Sequence, residues 1–208
     1  MYPYFQEPDE EEEPEREPQE QEEPGKEKLT PDLQERLLKT RTILIFGEIN
    51  MRLAEKVTQQ LLLLSSISDD DIKIIINSQG GHVESGDTIF DMIRFVKPTV
   101  KVIGTGWVAS AGALIYSAPP KEHRYSLPNT RYLLHQPLGG IMGSAQDLAI
   151  EAEEILKMRR RLNETFARQT GQPLEKIERD TDRNFWMNAR EAQTYGLVGK
   201  IIEKISEV

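Results

Sequence analysis

Cysteine is absent from this 208-residue sequence, which excludes disulfides and thiolate metal sites. Histidine is scarce, with only His82, His123 and His135, so a histidine-rich zinc centre is not expected and no metal is assigned. No apolar run approaches the about 20 residues of a bilayer-spanning helix, and no membrane partner is expected. The N-terminus has neither the basic start nor the apolar stretch of a secretory leader, and its acidity is unlike a transit peptide. Cytoplasm is the expected compartment.

The net charge of −9 is concentrated at one end. Residues 1–28 hold twelve acidic and three basic residues, leaving 23 of each sign in the remainder. The body is therefore neutral and offers no nucleic-acid surface. Its one basic run, Lys157-Met158-Arg159-Arg160-Arg161, falls among Glu151, Glu153, Glu154 and Glu164 in a helical pattern and reads as a solvated or interface face. Residues 1–28, rich in Glu and Pro, cannot bury enough apolar area to offset their ordering entropy and read as a disordered tail. A single domain over residues 29–208 is expected to follow.

Helix and strand patterns alternate through the body. A short helix is predicted from Pro31 to about Leu38, behind Thr30 as cap. Strands are expected at Thr42–Phe46, Ile72–Ile76, Val100–Gly104, Tyr132–His135 and Val198–Ile202. Helices are expected at Met51–Leu64, Val83–Phe95 and Val108–Ser117, from Ser144 to about Thr170, and from Asn188, where Asn188 and Glu191 form a capping-box pattern. Such alternation argues for an α/β fold with a largely parallel sheet.

Three strand ends carry chemistry-bearing residues. Gly80-Gly81 ends one strand and permits close backbone approach; alone it reads first as an ordinary turn. Ser110, in Ala109-Ser110-Ala111-Gly112, follows a second strand at a helix start, where small neighbours admit a substrate and free amides favour an oxyanion. Val108 stands where a Gly-x-Ser-x-Gly elbow needs glycine, and alone Ser110 reads first as a buried helix serine. His135 ends a third strand before Pro137 and Gly139-Gly140, and alone reads first as a core histidine. Together the three offer amide donors, a nucleophile and a base to one crevice beyond the strand ends, where α/β sites form. His82 and His123 are read as structural or surface residues.

Four segments, Asn77–Gly81, Ala109–Ala113, Leu134–Gly140 and Glu178–Arg183, resemble the proteolytic subunit (ClpP) family of the Clp protease, over about residues 34–203. The resemblance implies a crotonase-like α/β fold with a protruding handle helix, the handle spanning about 136–170. It implies an oligomeric ring: two stacked seven-fold rings, homomeric or mixed with a paralogue, fed unfolded polypeptides by an AAA+ unfoldase. No cofactor is implied for this chain, ATP being used by the unfoldase. Ser110 would be the nucleophile, His135 the base, and the amides of Gly81 and Ala111 the oxyanion hole. Pro137, Leu138 and Gly139 would pair with the substrate backbone, and Asp182 and Arg183 would lie at the ring–ring contact.

The sequence departs from the family pattern at several points. Asn184 stands where the third triad member is usually Asp. Gln79 and Ala111 replace a usual proline and methionine, Lys73 and Ile75 replace frequent tyrosines of the unfoldase-docking pocket, and the acidic tail replaces a short axial segment. Asn184 can orient His135 but cannot offset imidazolium charge. The reading is thus a serine endopeptidase subunit that cuts unfolded polypeptides through an acyl-enzyme. Its rivals are a weakly active or regulatory subunit beside an active paralogue, and an acyl-CoA enzyme on the same fold.

Overall fold

The computed structural model describes residues 31–137 and 144–208. The predicted tail and Leu138–Gly143 of the arm, including Leu138 and Gly139, lie outside the described residues. In chain order the elements are α1 (Pro31–Lys39), β1 (Thr42–Ile49), α2 (Met51–Ile67), β2 (Ile72–Gly81), α3 (Val83–Phe95), β3 (Val100–Ala109), α4 (Ala111–Tyr116), β4 (Arg124–Ser126), β5 (Arg131–Leu134), α5 (Ala145–Thr170), α6 (Leu174–Thr181), β6 (Phe185–Asn188), α7 (Ala189–Tyr195) and β7 (Lys200–Ile201).

Strands β1, β2, β3, β4 and β7 form a parallel ladder in that order. Strand β3 is long enough to serve two partners on one side. Its Val102–Gly104 pairs with β4, and its Trp107–Ala109 pairs with β5, both parallel. Strand β6 then adds to β5 in the antiparallel sense, with Leu134 opposite Phe185. The far half of the sheet thereby brings the ends of β2, β3 and β5 and the start of β6 to one region.

Alternation along the strands decides which face is buried. Ile43 and Ile45 pair with Ile74 and Ile76, and all four are fully buried beneath the helices with Val57, Leu61 and Ile89. Each such side chain contributes about 1.5–3 kcal/mol of transfer free energy. The opposite face carries a smaller cluster, Ile103, Tyr125 and Ile202 with Ile75 and Leu127 against it. The base of α5 joins the main core through Leu162 and Phe166. Arg124, 1% exposed, fastens this junction, donating to the carbonyls of Pro119 (2.7 Å) and Gln169 (2.8 Å) and to Gln169 Oε1 (2.6 Å). Burial lowers the pKa of its guanidinium to about 10.

Local chemistry sets the element ends. Asn50 caps α2 through Leu53 N–H (2.9 Å), and Ser144 with Asp147 and Asn188 with Glu191 form capping boxes on α5 and α7. His82, read as structural, caps α3 by accepting from Ser85 N–H at its Nδ1. The sequence reading needs correction in three places. The helix expected from Val108 starts at Ala111, because Val108 and Ala109 are claimed by the β5 ladder. The strand expected to include His135 ends at Leu134. Strands β4 and β6 and helix α6 were not expected at all. No helix among the described residues is long and apolar enough to cross a membrane.

Candidate active site

Ser110 occupies the single residue between β3 and α4, with φ 55° and ψ −122°. Positive φ in a residue with a Cβ is strained and persists only where the surroundings enforce it. Here Ser110 N–H donates to Leu133 O (3.0 Å), and Ser110 O accepts from Ala113 N–H (2.9 Å) and Leu114 N–H (3.1 Å). The result is a strand–serine–helix elbow without the usual glycine signature. Ala111, as the first residue of α4, carries an N–H with no intrahelical acceptor.

Gly80 supplies the space for this elbow. A Cβ on it would stand 2.6 Å from Ser110 Cβ, 2.8 Å from Ala109 O and 3.2 Å from Ala111 N, and its φ of +99° also favours glycine. Buried Ser78 fixes it by accepting from Gly80 N–H (3.0 Å) while donating to Gly47 O (2.5 Å). Gly81, the residue singled out from the sequence, is next in line and instead packs its α-carbon against Ile49 of β1.

Register brings the other two residues together. Leu133 is opposite Ala109 on β3, and Leu134 is opposite Phe185 on β6. One step further along β5 comes His135, and one step back from β6 comes Asn184. Their side chains meet, His135 Nδ1 to Asn184 Oδ1, at 3.1 Å. An amide oxygen only accepts, so Nδ1 carries a hydrogen, and in the neutral ring Nε2 is the nitrogen with the lone pair. Among the described residues no hydrogen bond joins Ser110 Oγ to His135; the two share the wall of one pocket.

That pocket is otherwise apolar: Val83, Ala111, Leu114, Leu134, Pro137, Leu162 and Phe166 complete its lining, around a free volume of about 20 Å³. Nearby, Arg161 of α5 forms a two-pronged ion pair with Asp87 of α3. On the other side of His135 and Asn184 lies an open recess of about 460 Å³ bordered by Gln136, Asp182 and Arg183. The Arg183 side chain is 91% exposed, whereas the Asp182 carboxylate accepts from Arg159 at 3.1 Å. No cluster of three or more His, Asp or Glu able to hold a metal occurs among the described residues.

A strained serine elbow beside an imidazole held by an amide oxygen suits acyl transfer, and comparison with known proteins points the same way. The Clp protease family model matches residues 25–205. This chain belongs to the Clp protease family. It is 58% identical over 180 residues to ATP-dependent Clp protease proteolytic subunit 3 of Rhizobium meliloti, covering 86% of this chain and 92% of that protein. It is 57% identical over 176 residues to proteolytic subunit 2 of Pseudomonas aeruginosa, covering 85% and 88%. Among solved structures, ClpP1 from Listeria monocytogenes superposes with a TM-score of 0.77 at 59% identity, covering 84% of this chain and 98% of that one. An Asn-to-Asp mutant of the same Listeria protein superposes at 0.79. The crotonase-like fold of the Clp protease family is thus that of this chain.

Sequence reasoning singled out Ser110, His135 and Asn184, and the structure brings all three to one place. It did not single out Gly80 as the close neighbour of Ser110, although Gly80 lies in the quoted motif. The pocket walls Val83, Leu114, Leu162 and Phe166 carried no signal beyond ordinary helical periodicity, because an apolar wall and an apolar core look alike in sequence.

Proposed function

We propose that the chain is a serine endopeptidase subunit of the Clp type and that Ser110, His135 and Asn184 carry its chemistry. The observation that supports this reading best is the elbow at Ser110, set across one small pocket from an imidazole whose Nε2 is free. Ser110 Oγ attacks the scissile carbonyl carbon while His135 Nε2 takes its proton. The N–H groups of Ala111 and Gly81 receive the developing oxyanion. His135 then hands the proton to the leaving amine, and an acyl-enzyme remains. Water attacks the ester with His135 again as base, releasing the acid and restoring Ser110. Asn184 holds the Nδ1–H throughout, so the ring keeps its tautomer.

The backbone from Pro137 through Leu138 and Gly139 pairs with the extended substrate. The reaction needs no cofactor on this chain. Stacked rings with Asp182 and Arg183 at their contact, and an AAA+ unfoldase partner, complete the proposed assembly. The exposed Arg183 fits the first. The relatives' description as proteolytic subunits favours catalysis over a purely regulatory role.

The test is Ser110→Ala in the assembled protein, with fluorophosphonate labelling as a second readout. Peptide cleavage and labelling are expected to vanish while oligomer size stays the same. Cleavage at the wild-type rate in pure Ser110→Ala protein would remove Ser110 as nucleophile.

A further inference from the structure

The hydrogen bond from His135 to Asn184 is single, solvent-facing and uncharged, so it can hold the two side chains together only weakly. Something else must keep the two loops in register. Beyond Leu134 opposite Phe185, regular pairing would continue with His135 facing Asn184 and then Gln136 facing Arg183. The ladder stops instead. Gln136 N–H donates to Thr181 O at 2.7 Å, and Gln136 Nε2 donates to Asp182 O at 2.6 Å. One residue, adjacent to His135, thus grips the backbone two and three positions before Asn184.

The gripped segment is anchored in turn. Thr181, 1% exposed, sets Oγ1 2.9 Å from buried Asn163 Oδ1 and 2.8 Å from Ile177 O, its one hydroxyl hydrogen shared between the two acceptors. Asp182 is tied to Arg159. Asn163 and Arg159 lie four residues apart on α5. Gln136 therefore links the loop after β5 to a segment immobilised on the base of the long helix, with the His135–Asn184 pair enclosed between ladder and bracket.

We infer that Gln136 is a positioning residue of the peptidase site: its two hydrogen bonds hold Asn184 Oδ1 where it can accept from His135 Nδ1–H. This rests on the reading of Ser110, His135 and Asn184 given above. The role suits a site with a neutral third member, since a neutral acceptor must be placed by its surroundings. The amide side chain matters because only an N–H donor satisfies the Asp182 carbonyl; a carboxylate of the same shape would face it with acceptors alone.

The experiment measures kcat, KM, melting temperature and oligomer size for Gln136→Ala and Gln136→Glu, together with the rate at which a fluorophosphonate acylates Ser110. Both variants are expected to lower kcat and the acylation rate by about tenfold to a hundredfold, the effect of a misplacement near 1 Å, with KM, melting temperature and assembly unchanged. The decisive arm repeats Gln136→Ala in an Asn184→Ala background. If Gln136 acts through Asn184, the second change adds no further loss. A loss of the same factor in both backgrounds overturns the inference. So does unchanged kcat in Gln136→Ala, or an effect confined to KM, which would put Gln136 in the substrate arm. If Asn184→Ala alone leaves acylation untouched while Ser110→Ala abolishes it, the role of Asn184 and this inference fall together and the peptidase reading stands.

Discussion

Asn184 offers His135 a shape without a charge. When Ser110 loses its proton, His135 becomes an imidazolium, and an amide oxygen stabilises that cation less than a carboxylate would. A hydrogen bond to a charged acceptor is roughly twice as strong as one to a neutral acceptor. Asn184→Asp keeps the side-chain volume and adds the charge. It is expected to raise peptide turnover, whereas Asn184→Ala lowers it. Arg183 is adjacent and exposed, so the new carboxylate has a second partner within reach. Turnover is therefore measured with oligomer size followed in parallel, and equal turnover in all three proteins would remove Asn184 from the site. At this scale Ser110 and His135 were legible only in combination with the other strand ends, and Asn184 only through the family resemblance. The positive φ of Ser110 was not legible: it is held by hydrogen bonds to Leu133, Ala113 and Leu114, and all three depend on sheet and helix already being in place.

Elements position these residues through their ends. Strand β2 reaches Ser110 only because its penultimate residue, Gly80, has no side chain. Gly80→Ala would push a methyl group to 2.6 Å from Ser110 Cβ at a φ of +99°. The elbow must then shift. Peptide turnover is expected to fall by at least about a hundredfold, as for a misplacement near 1 Å, and thermal melting to drop measurably; activity near wild type would show that the elbow tolerates a wider gap. The longer elements were readable from periodicity and caps, as with α3 and the Asn188–Glu191 box. Strand β6 was not, since its four residues alternate in burial only weakly and its partner β5 lies far away in sequence. Helix α6 buries only Ile177 and Thr181, too few positions to stand out from a polar stretch.

The whole molecule divides its charge unevenly, with the entire excess of −9 in residues 1–28 and a neutral body carrying its own core. Removing residues 1–28 is expected to leave the melting temperature unchanged, because that segment has almost no core-forming residues. Acidic unfolded substrates should then be degraded faster relative to basic ones than with the full chain. Raising the salt to 1 M, where the Debye length is about 3 Å, should erase the difference between the two proteins. A large loss of thermal stability on truncation would show that the segment packs on the body.

The pairing of β5 with β6 has one further consequence, for the order of events during synthesis. His135 and Asn184 are 49 positions apart, and α5 and α6 lie between them. Closing so long a span costs entropy that only the packed helices can offset. If His135 is the base of the proposed mechanism, a nascent chain that has already made Ser110 and its elbow has no oriented base until those helices have docked. On that mechanism, incomplete chains are expected to show no peptidase activity, which a ribosome-stalled chain ending before Asn184 would test by peptide cleavage.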